Sequence, residues 1–239
     1  STKGIGKAIV SRMAEQGAQV VVSSRNQELC DEVAGEINAA GGTAIGIACN
    51  INYKEQLENL VKQTEIQLGS IDILVCNAAI NPYFGPSQEI SDSAFDKVMH
   101  ANIGSVHKVC QLVIPSMAGN GGGSVIIVSS IGGLKGSDAL GAYAISKAAD
   151  MQIARNLAVE WGPKNVRINC IAPGLVRTDF ARALWENPEI YAATVSKYPL
   201  RRIGEPDEIA GTAVLLASDA GSFTTGQTIV IDGGGTIAG

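Results

Sequence analysis

The chain predicts one α/β domain: a parallel sheet, doubly wound, with helices on both faces. Three observations lead there. Short β-branched runs such as Val20-Val21-Val22 and Val125-Ile126-Ile127-Val128 alternate with helix-length amphipathic stretches along most of the chain. The strand-like runs are nearly continuous in apolar character rather than alternating, as strands buried on both faces are. The 239 residues are 46% hydrophobic and carry 28 glycines, enough for a large core whose elements join through tight turns.

In order, Ser1–Gly6 reads S-T-K-G-I-G and runs into a helix over Lys7–Gln16, closed by Gly17. Gln19–Ser24 is a strand, Gln27–Ala40 a helix ended by Gly41-Gly42, Thr43–Ala48 a strand, and Lys54–Leu68 a helix ended by Gly69. Ile71–Cys76 is a strand, and Ser91–Met117 a long helical stretch expected to be interrupted near Gly104. Val125–Ser129 is a strand, Ala142–Trp161 a helix, Val166–Ile171 a strand, Pro206–Ser218 a helix, and Gln227–Ile231 the last strand. Between Pro173 and Gly204 the alternation stops, and the segment over 175–203 has the length and aromatic content of a lid or binding loop. A glycine turn that opens a helix leading to a strand is half of a dinucleotide-binding unit, whose first strand precedes the glycines. That strand is missing upstream of Ser1, so the expectation is for roughly 10 further residues there.

Charge and composition narrow the function. The net charge is −5, with no basic run, which disfavours nucleic acid and anionic membranes as partners. No stretch has the length and apolarity of a membrane span. Cysteines 30, 49, 76, 110 and 170 are scattered and odd in number, which points to free thiols in a reducing, cytoplasmic setting. His100 and His107 fall in one helix without a metal-ligand pattern, so no metal is expected. The C-terminal residues do not form a peroxisomal tripeptide.

The chemistry concentrates in Ser129–Lys147, S-S-I-G-G-L-K-G-S-D-A-L-G-A-Y-A-I-S-K. Tyr143 and Lys147 share a helix face, and Ser130 lies just past a strand end, where parallel sheets place their ligands. A phenol is a poor acid at neutral pH, with an ordinary pKa of roughly 10; an adjacent cation favours its ionised form. A hydroxyl arriving from the strand end completes a group able to pass a proton to or from a substrate oxygen. Tyr and Lys at this spacing are common on ordinary helices. The preceding strand-Ser-Gly turn, 143 − 130 = 13 residues upstream of the tyrosine, sets this pair apart.

The segment resembles the catalytic stretch of the short-chain dehydrogenase/reductase family, and the resemblance extends from the glycine turn to Asp232–Gly234. It implies a Rossmann-type fold and a catalytic set of Asn102, Ser130, Tyr143 and Lys147. Tyr143 would act as general acid and base, Lys147 would support it and bind the nicotinamide ribose, and Ser130 would hold the substrate oxygen. Asn102 would hold a water linking Lys147 to solvent. The cofactor positions implied are Ser1, Lys3, Gly4, Ile5 and Gly6 in the turn, Ser24 and Arg25 after the strand, and Asn50 and Ile51 beside the adenine. Asn77, Ala78 and Ala79, Tyr143 and Lys147, and Pro173, Gly174, Val176 and Thr178 complete them. Two positions depart from the family pattern. Ala79 stands where N-A-G is usual, and Asn50 stands where Asp is frequent.

Ser23-Ser24-Arg25 contains no acid to accept hydrogen bonds from a ribose 2′-hydroxyl, whereas Ser24, Arg25 and Lys3 can donate to a phosphate. The expected cofactor is therefore NADP(H), and the strand and loop sequences look like the carbonyl and retinal reductase subgroup. The expected substrate is a small, apolar carbonyl compound or alcohol, from the side chains of Ile80–Pro86 and Phe180–Tyr198. The family resemblance implies a homotetramer. A 3-oxoacyl thioester reductase, a sugar-nucleotide epimerase and a cofactor-binding regulator without turnover remain as alternatives. Chain length disfavours the epimerase, and retention of all four catalytic-set residues disfavours the regulator.

Overall fold

The computed structural model describes residues 1–238. All strand pairings are parallel. The helix α1 (Gly4–Glu15) precedes β1 (Gln19–Ser24), then α2 (Gln27–Ala39), β2 (Thr43–Ala48), α3 (Lys54–Leu68) and β3 (Ile73–Cys76). α4 (Asp92–Met99) continues through a π-helical turn, His100–Gly104, into α5 (Ser105–Gly119). β4 (Gly123–Val128), α6 (Gly141–Trp161) and β5 (Val166–Pro173) follow. The short helices α7 (Arg182–Trp185) and α8 (Pro188–Val195) lead to α9 (Pro206–Ala217) and β6 (Thr228–Ile231).

The strands run β2-β1 in one part and β3-β4-β5-β6 in the other. Among the described residues β1 and β3 each keep one unpaired edge, and an opening lined by Val20, Val21, Ile73 and Val75 lies between them. Each face of the sheet carries its own core. Ile126 and Val128 of β4 point into the cluster with Ile9, Val33, Ile37 and Ile209, from α1, α2 and α9. Val125 and Ile127 point to the opposite cluster with Val61, Val113, Met117 and Ala154, from α3, α5 and α6. The period of two along one strand thus serves two helical layers, which is the doubly wound arrangement expected from the sequence.

Most element boundaries agree with expectation to within a few residues. α1 starts inside the glycine turn, at Gly4, whose positive φ of 53° is a turn conformation that glycine adopts easily. The interruption near Gly104 is a π turn rather than a break, so α4 and α5 remain one continuous rod. The irregular 173–204 segment contains two short helices. α8 is capped by Asn187, whose side chain accepts from the Glu189 and Ile190 amides.

Candidate active site

At the end of β4 the chain turns at Ser130, which is extended (φ −167°) and caps a 3-10 turn over Ile131–Gly133. Its Oγ accepts the Gly132 N–H at 3.0 Å and donates to no protein group among the described residues. The hydroxyl proton is therefore free for a ligand. Gly133 presses against α6: a Cβ there would stand 2.6 Å from the Lys147 carbonyl carbon and the Ala148 nitrogen. Ser129 Oγ donates to the Lys147 carbonyl at 2.7 Å. These two contacts fix the strand end against the turn of α6 that carries Tyr143 and Lys147.

Tyr143 is half-buried, with its ring 5.9 Å from that of Phe180 in the 173–204 segment. The Lys147 ammonium lies 5.8 Å from the centre of the Tyr143 ring. Lys147 is buried; its Nζ donates to the Val128 carbonyl at 3.0 Å and to the Asp150 carboxylate at 2.9 Å. Asn102 sits in the π turn, 1% exposed. Its amide nitrogen donates to the Ile80 carbonyl and to Ser146 Oγ, both at 3.0 Å, and its oxygen accepts the Ile80 N–H at 2.8 Å. Ser146 Oγ in turn donates to the Tyr143 carbonyl at 2.7 Å. Asn102 thus ties the loop after β3 to α6, and its polar atoms meet Ile80 and Ser146 rather than Lys147. The π turn gives a physical account of an asparagine inside a helix: it rotates the amide out of the α-helical ladder towards Ile80.

The glycine turn packs on two distant segments. A Cβ on Gly6 would stand 2.8 Å from Asn77 Nδ2, and one on Gly4 would stand 3.0 Å from Thr178 Cγ2. Ser1 Oγ accepts the Ser23 amide at 2.9 Å, at the edge of β1. Lys3 pairs with Asp179 at 3.4 Å, both side chains at least half exposed. The Lys3 charge thus faces the neighbouring 173–204 segment. Ser24 Oγ stays local, accepting the Asn26 amide at 3.3 Å. Arg25 is exposed and makes no ion pair among the described residues. Asn50 Oδ1 accepts the Asn52 amide at 3.2 Å, and Val176 is joined to Gly204 by a bridge. Thr178 caps the 3-10 turn that starts at Asp179.

Every site position expected from the sequence lines one cavity of about 1990 Å³, except Asn102. Its walls include Ser1, Lys3, Gly4, Ile5 and Gly6; Ser24 and Arg25; Asn50 and Ile51; and Asn77, Ala78 and Ala79. Ser130, Tyr143 and Lys147, then Pro173, Gly174, Val176 and Thr178, complete this part of the wall. The volume exceeds the several hundred Å³ usual for a ligand site, because the cavity continues into the opening between β1 and β3. No cluster of three or more His, Cys, Asp or Glu with metal-holding geometry is present among the described residues, and no helix among them is long and apolar enough to cross a membrane.

Sequence reasoning missed Asp150, which is fully buried beside Lys147, together with the backbone clamps made by Ser129, Gly133 and Ser146. An acid three residues after Lys147, inside a helix that must pack on the sheet, was the available signal.

The comparisons with known proteins agree with this geometry. The family model described as Enoyl-(Acyl carrier protein) reductase matches residues 1–236. Dehydrogenase/reductase SDR family member 4 of Bos taurus is 41% identical over 234 residues, 98% of this chain and 84% of that one. Dehydrogenase/reductase SDR family member 2, mitochondrial, of Homo sapiens is 36% identical over 233 residues, 98% of this chain and 83% of its own. Among solved structures, a gluconate 5-dehydrogenase from Burkholderia cenocepacia in complex with NADP and tartrate superposes with a TM-score of 0.96. It is 30% identical, covering 100% of this chain and 93% of that one. A 7 alpha-hydroxysteroid dehydrogenase complexed with NADH and 7-oxo glycochenodeoxycholic acid superposes at 0.94. It is 36% identical, covering 98% of this chain and 91% of that one. A Ser, Tyr and Lys gathered at the strand ends of a doubly wound sheet, and relatives matched over nearly the whole chain, lead to one conclusion: this chain belongs to the short-chain dehydrogenase/reductase family of oxidoreductases.

Proposed function

We propose that the chain is an NADP(H)-dependent oxidoreductase that interconverts an apolar ketone or aldehyde with its alcohol, with Tyr143 as general acid and base. The observation that carries this reading is the meeting of Ser130, Tyr143 and Lys147 in the same cavity as the glycine turn and Arg25.

The residues present fit a dinucleotide. Gly4 and Gly6 leave the start of α1 bare of side chains, and its first turn holds no acidic residue, so its free N–H groups suit a pyrophosphate. Ser24 and Arg25 suit a 2′-phosphate, with no carboxylate among residues 23–25 to repel it. Asn50 and Ile51 would border the adenine, Asn77–Ala79 the middle of the cofactor, and Pro173–Thr178 its nicotinamide end. When bound, the cofactor supplies the hydride in reduction and accepts it in oxidation.

The protein handles the proton. In reduction the Tyr143 phenol gives its proton to the carbonyl oxygen, and in oxidation it takes the proton back from the alcohol. Ser130 donates its unspent hydroxyl proton to the same oxygen and steadies the charge that develops there. The Lys147 ammonium beneath the ring favours the phenolate that Tyr143 becomes in reduction. Phe180 against Tyr143, with Ile80, Phe84, Leu184 and Ile190 in the same wall, favours an apolar substrate.

The description of the matching family model favours a second reading, reduction of a thioester-linked acyl chain by the same three side chains. A panel of aromatic and aliphatic ketones, a steroid ketone, a 3-oxoacyl thioester and a keto sugar acid, followed by NADPH consumption, tests both. Turnover of the ketones is expected. Turnover of the thioester alone selects the second reading, and turnover of the sugar acid alone defeats both.

A further inference from the structure

Lys147 and Asp150 form a buried ion pair, with side chains 4% and 0% exposed. Isolated buried charges are expensive, and a paired one survives only where its partner and hydrogen bonds offset the loss of water. Here the offset is lopsided. The ammonium has two partners, the Val128 carbonyl and Asp150 Oδ2. The carboxylate has one: its Oδ1 is buried and meets no hydrogen-bond donor. Burial pushes the Asp150 carboxyl up from the ordinary carboxylate range, and Lys147 pulls it back. The other titratable groups around it are thiols. Cys170 of β5 donates to the Asp150 carbonyl at 3.4 Å, and Cys76 of β3 and Cys110 of α5 lie nearby. Burial, with Asp150 adding to it, holds the Cys170 thiol protonated, and Arg155 on the solvent side of α6 acts on that thiol only weakly. Lys147 is therefore the one cation that faces the carboxylate among the described residues.

We propose that Asp150 is a positioning residue of the active site: its buried carboxylate anchors the Lys147 ammonium beside Tyr143. This rests on the reading of Tyr143 and Lys147 given above. Lys147 reaches the core side of Tyr143 through a position with almost no solvent. Without a counter-ion there, the ammonium would keep only the Val128 carbonyl to offset its loss of water. Asp150 thereby holds a buried lysine in one place beside the ring.

The test has two arms. The first is a thermal-unfolding cycle on the full chain with Asp150→Asn, Lys147→Met and the double variant. Each single variant should unfold at lower temperature, and the double should lose clearly less than the sum, because no unpaired charge remains. Lys147→Met should also gain stability as pH falls from 8 to 5. Its orphaned carboxylate, raised above the unfolded value, takes up a proton over that window. The second arm is the NADPH dissociation constant by fluorescence. Asp150→Asn should weaken it by roughly tenfold, because Lys147 loses its anchor. Asp150→Glu, which keeps the charge, should restore the affinity even where packing lowers its unfolding temperature. If Asp150→Asn does not fold, Asp150→Ser replaces it in the titration with the same two outcomes.

An additive cycle overturns the proposal. So does a coupled cycle with unchanged NADPH affinity in Asp150→Asn, which would make the pair structural only. Failure of the functional reading shows separately, as full activity of Tyr143→Phe or as no binding of either nicotinamide cofactor. The unfolding cycle decides the Asp150–Lys147 coupling in either case.

Discussion

Replacing Arg25 by Ala should separate the two nicotinamide cofactors. The guanidinium follows directly on β1, is exposed, and makes no ion pair among the described residues, so no protein contact has to be broken before it meets a phosphate. A charge-assisted, two-pronged contact to a phosphate contributes roughly 1.5–3 kcal/mol. That corresponds to at least roughly a tenfold difference in affinity. Lys3 starts from a different state, because its charge is already shared with Asp179 at 3.4 Å. Lys3→Ala should therefore cost NADPH less than Arg25→Ala does, and Asp179→Ala, which frees Lys3, should tighten NADPH. Titration of each purified variant with NADPH and NADH, by cofactor fluorescence at two salt concentrations, reads these differences. The NADPH loss should shrink at high salt, since the contact is exposed and screened. NADH should change by less than about twofold, a few tenths of a kcal/mol. Equal loss for both cofactors, or tighter NADH than NADPH in the wild type, would refute the reasoning.

Tyr143→Phe should abolish turnover while leaving the NADPH dissociation constant nearly unchanged; substantial residual turnover would remove the phenol from its role. Gly6→Ala places a methyl group 2.8 Å from Asn77 Nδ2 and should weaken NADPH binding by roughly tenfold or more, since backbone and side chain must both yield; unchanged affinity would show that the turn does not bound the cofactor. Asn102→Leu leaves the Ile80 amide and carbonyl without their buried partner and should lower stability by about 1–3 kcal/mol in a denaturant titration. A change inside experimental error would make that tie dispensable. Ile145 and Val159 of α6, Phe223, and Val230 of β6 are exposed apolar side chains, more than solvent-facing helices and turns usually carry together. They should mediate self-association, with a tetramer at micromolar concentration in sedimentation; a monomer would contradict this.

The strands and most helices were legible because their signals are local. Val125–Val128 reads as a doubly buried strand from composition alone, and Gly17, Gly41 and Gly69 mark their turns through positive φ that only glycine adopts easily. The convergence of Ser130, Tyr143 and Lys147 was legible because 13 residues after a strand end bring a helix back over that strand. The π turn at His100–Gly104 was not, since a one-residue rotation of the helical ladder leaves no trace in periodicity beyond the glycine. Nor were the partners of Lys3 and Lys147. An exposed lysine's partner depends on a loop far away in sequence. A buried lysine's partner depends on which of two carboxylates or carbonyls the packing leaves within reach.

The chain contains two tryptophans, and the fold puts them in very different places. Trp185 Nε1 donates to the Thr178 carbonyl at 2.9 Å, and the Arg177 guanidinium lies over its indole at 5.2 Å. Trp161, at the far end of α6, packs against the core cluster that α3, α5 and α6 form on one face of the sheet. One indole is therefore wired to the rim of the cleft, and the other serves as an internal standard. A ligand that displaces Thr178 should therefore alter the dipole and the cation next to Trp185 and change its emission. A single Trp161→Phe variant would leave Trp185 as the one indole, so that such a change could be timed by stopped flow without attaching a dye.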